Sequence, residues 1–131
     1  TLLLLDLDGF KGVNDLYGHE IGDQLLKQIT TRFNRVLPDN ALIARLGGDE
    51  FGVIIYGSPD TGSDVALALR ATCTYPFTLS VGEVRVGVSI GSVTTQGPTT
   101  TKEVLLRRAD AAMYEAKRSG LGYVQSEITR P

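Results

Sequence analysis

The apolar positions at the start of the chain predict one buried strand followed by one long helix. Residues 2–7 are almost continuously apolar, with Asp6 as the exception, which is typical of a strand buried on both faces. From Ile21 onward the apolar residues recur at helical spacing as far as residues 36–37. We therefore expect a helix over this segment, and the Pro-Asp-Asn tripeptide at 38–40 predicts its end.

Two pairs of short apolar runs predict two hairpins. Residues 41–46 and 51–56 are separated by Gly-Gly-Asp-Glu, a turn whose glycines are available for positive φ. Residues 77–81 and 84–90 each alternate between apolar and polar or small residues, with a two-residue turn predicted at 82–83. Both hairpins interrupt any regular alternation of strands and helices.

The remaining apolar spacing predicts two further helices and a last edge strand. Residues 64–74 have helical spacing, and Thr100 with Glu103 has the spacing of a capping box before a helix that ends near 119–120. Residues 123–124 then predict an edge strand. This order favours an α+β fold with a mixed, mostly antiparallel sheet flanked by helices, ferredoxin-like or polymerase-palm-like, over a doubly wound fold.

Composition agrees with one globular domain. The chain has 131 residues, 13 Lys and Arg against 15 Asp and Glu, a formal net charge of −2, and 42% hydrophobic residues. Such a charge gives no general attraction for nucleic acid, so a phosphate ligand must be held by local groups or by a metal ion. We therefore expect no nucleic-acid partner.

The apolar and cysteine content adds expectations about location. The longest apolar run, residues 2–5, is too short to cross a membrane, and no charged leader precedes it. We expect a cytoplasmic piece of a longer polypeptide, with no membrane-inserted segment of its own even where the parent protein is membrane-anchored.

Cys73 is the single cysteine, and its helical spacing after Val65 and Leu69 predicts a buried core thiol.

Acidic residues lie at the ends of two predicted strands. Asp6-Leu7-Asp8 ends the first strand, and Asp49-Glu50 lies in the first hairpin turn. If the two strands are neighbours in the sheet, Asp6 and Asp49 converge at one edge, where carboxylate oxygens and a backbone carbonyl suit Mg²⁺. The alternative is that these acidic residues only decorate exposed turns.

The motifs of the whole chain, taken together, resemble one known family, the GGDEF family of diguanylate cyclases, in the same order. The signature is Arg45-Leu46-Gly47-Gly48-Asp49-Glu50-Phe51. Upstream of it are the blocks Asp6-Leu7-Asp8-Gly9-Phe10-Lys11, Asn14-Asp15, Gly18-His19 and Gly22-Asp23. Downstream are the blocks Ser89-Ile90-Gly91, Arg108-Ala109-Asp110, Met113-Tyr114, Ala116-Lys117 and Gly120. Several separated motifs in the family's order make a chance agreement far less probable than a single signature would.

The resemblance implies a metal-dependent nucleotide site in the family's cyclase fold. By it, Asp6 and Asp49 supply carboxylates, and Leu7 its backbone carbonyl, to one or two Mg²⁺ or Mn²⁺ ions that hold the triphosphate of GTP. Glu50 adds a metal or ribose contact and is the nearest candidate to deprotonate the attacking 3′-hydroxyl. Gly47 and Gly48 have no Cβ atoms, which allows the turn to approach the nucleotide closely.

The same resemblance assigns contacts to the phosphates and the base. Backbone N–H groups of the segment Gly9, Phe10 and Lys11 would cradle the terminal phosphates, and Lys117 would add a cationic contact. Asn14 and Asp23 match the guanine-binding positions, since a carboxylate can accept the N1–H and N2–H₂ donors of guanine together. Helix capping and an Asx turn are the alternative roles of this pair.

Three departures from the family pattern accompany these matches. The family's Arg-x-x-Asp product-binding motif is replaced by Pro38 and Ala41, which makes product inhibition through it doubtful, and Leu121 stands where many members have an arginine. The leading helical block of the family is also absent. We therefore take residues 1–131 as a single GGDEF domain that lacks this leading segment.

Two functions follow from the resemblance. The first is a diguanylate cyclase in which two domains form a homodimer of half-sites and condense two GTP molecules into cyclic di-GMP and pyrophosphate. The alternative is a catalytically silent, GTP-binding regulatory domain covalently linked to sensor domains and to an EAL phosphodiesterase domain. The stretch from Pro76 to Gly82 is similar to that of cyclases fused to an EAL domain. Another palm-like nucleotidyltransferase is a more remote third possibility.

Overall fold

A five-stranded sheet with helices on both faces forms the centre of the computed structural model, which describes residues 1–96 and 100–126. None of its helices in these ranges is long and apolar enough to cross a membrane. The elements are β1 Leu2–Asp8, α1 Phe10–Tyr17, α2 His19–Val36, β2 Leu42–Arg45, β3 Glu50–Ile54, α3 Pro59–Thr72, β4 Phe77–Leu79, β5 Gly82–Val84, β6 Gly87–Val93, α4 Lys102–Ser119 and β7 Tyr123–Gln125.

The strand order of the main sheet is β2-β3-β1-β6-β7, with β4 and β5 forming a separate two-stranded sheet. Strand β1 is central and runs antiparallel to both β3 and β6. Strand β2 is antiparallel to β3, and β6 and β7 pair in parallel. Helix α4 makes the crossover between these two parallel strands. The predicted α+β class with a mostly antiparallel sheet flanked by helices is confirmed.

Strand β1 is buried on both faces, as its apolar run predicts. Leu3, Leu5 and Leu7 belong to the larger core, which also contains Leu25, Ile29 and Phe33 of α2. Leu4 points to the other face of the sheet, where it joins Val93 and the α4 residues Ala109 and Met113. Alternate residues of one strand therefore hold helices to opposite faces of the sheet.

Helix α4 packs directly on the backbone of β6 because residue 91 has no side chain. A Cβ at Gly91 would lie 2.0 Å from the backbone nitrogen of Met113 and 2.4 Å from the carbonyl oxygen of Ala109. Neither backbone atom can move without shifting the helix. Any larger residue at position 91 would therefore push α4 away from the sheet.

Two helices begin earlier than the apolar spacing indicates, and one helix was not predicted. Helix α1 is separated from β1 by Gly9 (φ 90°) and from α2 by Gly18 (φ 92°), and both values need glycine. Helix α2 begins at His19 rather than Ile21. Helix α3 begins at Pro59 rather than 64, because Ser58 caps it by accepting from Thr61 N–H and proline suits a first helical position.

The second hairpin was predicted with the wrong turn and the wrong extent. Leu79 pairs with Gly82, so the turn consists of residues 80–81 and not 82–83. The segment predicted as a single strand over 84–90 divides into the end of β5 and the start of β6, which lie in different sheets. The capping prediction was also displaced by one residue, since the Thr101 side chain, and not that of Thr100, accepts from the N–H of Val104.

Side chains at intervals of four on α2 hold the β4–β5 hairpin. Gln24 Oε1 accepts from Ser80 N–H at 3.2 Å, and Gln28 donates to the Thr78 carbonyl at 2.7 Å. The Cζ atom of the Arg32 guanidinium lies 3.7 Å from the centroid of the Phe77 ring. The same guanidinium donates to the carbonyls of Thr72, Tyr75 and Pro76 at 2.8, 2.8 and 2.6 Å. These contacts fix the α3–β4 connection on the helix that carries Gly22 and Asp23.

Cys73 is buried, as predicted, at 8% exposure. Burial raises the pKa of its thiol above the usual value, while the Thr72 hydroxyl and nearby arginines oppose the shift. The thiolate is therefore scarce at neutral pH, and Cys73 has the properties of a packing residue and not of a nucleophile.

We expect Arg32→Ala to lower the free energy of unfolding by about 2–3 kcal/mol, because three carbonyls lose a charged donor and the Phe77 ring loses its cation. Arg35→Ala is the matched control, since Arg35 lies exposed on the same helix. Its effect should stay below about 0.5 kcal/mol. Urea unfolding of both variants measures the difference, and equal effects would contradict the role given to Arg32.

Candidate active site

The acidic ends of β1 and of the first hairpin lie side by side. Asp6 pairs with Glu50 in the antiparallel register of β1 and β3, and Leu7 N–H donates to the Asp49 carbonyl at 2.9 Å. The predicted convergence of Asp6 and Asp49 is therefore present in the structure. Antiparallel pairing is the cause, because it brings the end of β1 to the start of β3.

The Gly-Gly turn is held by its preceding arginine. The Arg45 guanidinium donates to the carbonyls of Gly47 and Gly48 at 3.0 Å, and Leu46 N–H donates to the Glu50 carbonyl at 2.8 Å. The expectation of positive φ at these glycines is wrong, because neither is among the positive-φ residues of the described chain. A Cβ at either position would meet no atom of residues 1–96 or 100–126 within 4 Å. The open space outside the turn, and not its backbone, is the feature these glycines provide.

The Asp6 carboxylate is the electrostatic centre of the site. Its Oδ2 accepts from the Lys117 ammonium at 2.6 Å, whereas its buried Oδ1 has no hydrogen-bond partner among the described residues. Burial raises the pKa of Asp6; the Lys117 hydrogen bond opposes the rise, and the nearby Asp49 charge adds to it. The structure thus holds an acidic oxygen that is turned inward and left without a donor.

Lys117 reaches the acidic site from the last turn of α4. In addition to Asp6, its ammonium lies 3.7 Å from Asp8 Oδ1, and the hydrogen bond to Asp6 raises the pKa of the lysine. The family resemblance implies that this cation contacts phosphate. The structure places it among carboxylates, so that the phosphate contact stays a prediction.

A residue that the sequence analysis did not assign to the site completes this group. Ser89 on β6 is 3% exposed, and its hydroxyl lies 3.0 and 2.9 Å from the two carboxylate oxygens of Asp8. Asp8 is thereby fixed beside Lys117. The signal was a serine at a buried strand position, which becomes meaningful once β6 is known to pair with β1.

The donor set fits a divalent cation held largely by its substrate. Asp6, whose Oδ1 has no partner among the described residues, and the nearby Asp49 offer two neighbouring carboxylates. Within residues 1–96 and 100–126 no cluster of three or more His, Cys, Asp or Glu is arranged to bind a metal by itself. Mg²⁺ is characteristically bound by one or two carboxylates together with substrate phosphates, which agrees with this arrangement.

The start of α1 lies directly after the acidic strand end. Gly9 adopts a left-handed conformation, and no side chain caps the first turn of the helix. Phe10 is buried and anchors the turn in the core, whereas Lys11 is exposed. Backbone N–H groups at a helix start are well suited to an anion.

Asn14 and Asp23 form a second part of the candidate site. The Asn14 side chain lies against Gly22, and its buried Oδ1 has no hydrogen-bond partner among the described residues. Asp23 is exposed on the first turns of α2. Neither residue makes a hydrogen bond or ion pair with the Asp6 group in the described part of the chain. The capping alternative finds no support, because α1 and α2 have no side-chain cap.

The family profile described as "Diguanylate cyclase, GGDEF domain" matches residues 1–122. The chain therefore belongs to the GGDEF family of diguanylate cyclase domains.

Curated relatives include bifunctional signalling proteins. The chain is 42% identical over 121 residues to the bifunctional diguanylate cyclase/cyclic di-GMP phosphodiesterase MucR of Pseudomonas aeruginosa, covering 92% of this chain and 18% of the relative. It is 40% identical over 127 residues to the response regulator PleD of Caulobacter vibrioides, covering 92% and 27%. The chain thus spans about a fifth to a quarter of the length of these relatives.

Solved structures confirm the fold. The GGDEF domain of YfiN (TpbB) from Pseudomonas aeruginosa aligns with a TM-score of 0.86 at 36% identity, covering 96% of this chain and 81% of that one. The GGDEF domain of DgcB from Caulobacter crescentus, solved in complex with c-di-GMP, aligns with a TM-score of 0.80 at 28% identity, covering 98% and 75%.

We expect Ser89→Ala to lower the free energy of unfolding by about 1 kcal/mol, because Asp8 loses its buried hydroxyl donor. The same change made in an Asp8→Ala background should have little effect, since the partner is already gone. Urea unfolding of the four proteins of this cycle gives the coupling energy. A coupling close to zero would show that the hydroxyl does not hold the carboxylate.

We expect Asp6→Asn to leave the melting temperature at pH 7 equal or higher. A raised pKa means that folding disfavours the ionised carboxylate, so removal of the charge relieves the fold above that pKa. As the pH falls through the pKa of Asp6, the wild-type residue becomes protonated and the difference should shrink. Thermal melts from pH 4 to 8 test this, and a variant that is much less stable at pH 7 would refute it.

Proposed function

We propose that this domain is a diguanylate cyclase that condenses two GTP molecules into cyclic di-GMP and pyrophosphate. The observation that carries the proposal is the pair of strand-end carboxylates, Asp6 and Asp49, with an orphaned buried oxygen on Asp6. Membership of the GGDEF family supports the reaction class. A net-acidic chain with this site needs a cation between its carboxylates and a triphosphate.

Each residue of the first part of the site has a defined task in this proposal. Asp6, Asp49 and the Leu7 carbonyl would hold Mg²⁺ or Mn²⁺, which supplies charge neutralisation of the triphosphate and orientation of its α-phosphate. The backbone N–H groups at Gly9, Phe10 and Lys11 would bind the terminal phosphates. Lys117 would move from the carboxylates to phosphate oxygens once the nucleotide is bound.

Bond formation requires two such domains. The 3′-oxygen of each GTP attacks the α-phosphorus of the other, so that two phosphodiester bonds form. The bond from each α-phosphorus to its pyrophosphate oxygen breaks, and two pyrophosphates leave. The hydroxyl proton passes to a base, for which Glu50 at the turn is the nearest candidate. The open space outside Gly47 and Gly48 allows the α-phosphate and ribose to approach the turn. Each domain contributes a half-site, so that homodimerisation controls the rate.

Guanine selection is assigned to Asn14 and Asp23. The carboxylate of Asp23 accepts the N1–H and N2–H₂ donors of guanine, whereas adenine presents an acceptor at N1 and would leave the charge unpaired. We do not propose product binding through the family's Arg-x-x-Asp motif, because Pro38 and Ala41 occupy those two positions. These residues form a turn in which Ala41 N–H donates to the Pro38 carbonyl at 3.0 Å.

A silent regulatory role is the second candidate. One relative at 35% identity is the cyclic di-GMP phosphodiesterase PdeR of Escherichia coli, and MucR is bifunctional. A domain of this kind would bind GTP without turnover and would act on a covalently linked EAL domain in a cytoplasmic signalling protein with sensor domains.

The decisive experiment incubates the chain, at concentrations up to the millimolar range, with GTP and Mg²⁺ and follows cyclic di-GMP by chromatography. We expect product from the wild-type chain and a loss of at least about 100-fold in Asp49→Asn/Glu50→Gln, with little change in melting temperature, because turn carboxylates do not support the core.

Asp39→Asn/Asp60→Asn is the matched control, since both residues are exposed acids outside the site, and it should retain full turnover. Omission of Mg²⁺ should abolish product. GTP binding without product at any protein concentration would favour the regulatory role, and absence of GTP binding would contradict both.

A further inference from the structure

The Asn14 side chain lies directly on the backbone of α2 at Gly22. A Cβ added at Gly22 would fall 1.8 Å from Asn14 Oδ1 and 2.9 Å from its Cγ, both closer than Cβ atoms approach other heavy atoms in proteins. Gly22 is buried, and Asn14 Oδ1 is buried without a hydrogen-bond partner in the described ranges. Only glycine at this position leaves room for the amide where it lies.

The helix itself does not require glycine at position 22. Gly22 lies inside α2 and is not among the positive-φ glycines, so alanine would suit the backbone better. The nearby Gly18 differs, because its φ of 92° joins α1 to α2. Through that junction Gly18 N–H donates to the Asn14 carbonyl at 2.8 Å, and Gly22 N–H donates to the Gly18 carbonyl at 3.2 Å. These bonds hold the Asn14 backbone beside Gly22, so the side chain cannot avoid an added Cβ by a backbone shift.

We propose that Gly22 is a positioning residue that sets the selectivity for guanine through Asn14. This inference rests on the proposed function. With Oδ1 turned toward Gly22, the amide nitrogen is the atom farther from it, at 3.5 Å from the Cβ position. An N–H donor presented there matches the O6 acceptor of guanine and conflicts with the amino group of adenine. Asp23, the next residue of α2, meets the adjoining N1–H on the same edge of the base.

A double-mutant cycle with nucleotide binding as its readout tests the inference. The proteins are the wild-type chain, Gly22→Ala, Asn14→Ala and the double variant, each titrated calorimetrically with Mg²⁺ and α,β-methylene-GTP or α,β-methylene-ATP, which cannot release pyrophosphate. We expect Gly22→Ala to weaken the guanine analogue about ten-fold and to leave the adenine analogue unchanged. In the Asn14→Ala background Gly22→Ala should have no further effect, because the displaced group is absent.

Gly62→Ala is the matched control for crowding at a buried helical glycine. Its Cβ would lie 2.9 Å from Thr1 Cγ2, which precedes the start of β1, whereas Asp6 lies near the other end of that strand. Gly62→Ala should therefore leave both nucleotide affinities unchanged. The inference would be overturned if Gly22→Ala had equal effects in both Asn14 backgrounds, or if it left the guanine preference unchanged. In either case a wild-type chain that prefers the guanine analogue would still support the proposed function. A wild-type chain that binds both analogues equally, or neither, would overturn the proposed function and this inference with it.

Discussion

Asp6 lies at the end of a strand that is buried on both faces, and its carboxylate must be accommodated there. Lys117 of α4 donates to its Oδ2, and the other oxygen, Oδ1, has no donor among the described residues. The position of α4 depends in turn on Gly91, which allows the helix to touch the backbone of β6. The ion pair between Asp6 and Lys117 at the end of β1 therefore depends on how closely α4 packs on the sheet.

Much of the sheet and of the acidic site was predictable, because both depend on local sequence. The apolar run of β1 and the two short apolar runs of the first hairpin have one interpretation each, and antiparallel pairing then brings Asp6 and Asp49 together. The second hairpin failed because residues 84–90 have one continuous pattern but serve two sheets. That division is decided by which partner strand is near, a tertiary effect that the spacing of apolar residues does not contain.

The roles of the individual glycines could not be predicted from the sequence. The sequence suggested positive φ for Gly47 and Gly48, yet that conformation occurs at Gly9 and Gly18, while Gly22 and Gly91 serve close approach. All of these residues look alike in the sequence. Their roles differ because each depends on the atoms that a Cβ would meet, and those atoms come from distant segments. Ser89 was missed for the same reason, since its partner Asp8 lies on the neighbouring strand β1, 81 residues away in the sequence.

The site also weakens the fold that carries it. Burial and a neighbouring carboxylate raise the pKa of Asp6, which means that the ionised form opposes folding at neutral pH. Glycine inside α2 reduces helix stability by about 1 kcal/mol relative to alanine. Selection for stability alone would remove both features. Under the proposed function, a bound cation would offset the first penalty and a bound guanine base the second.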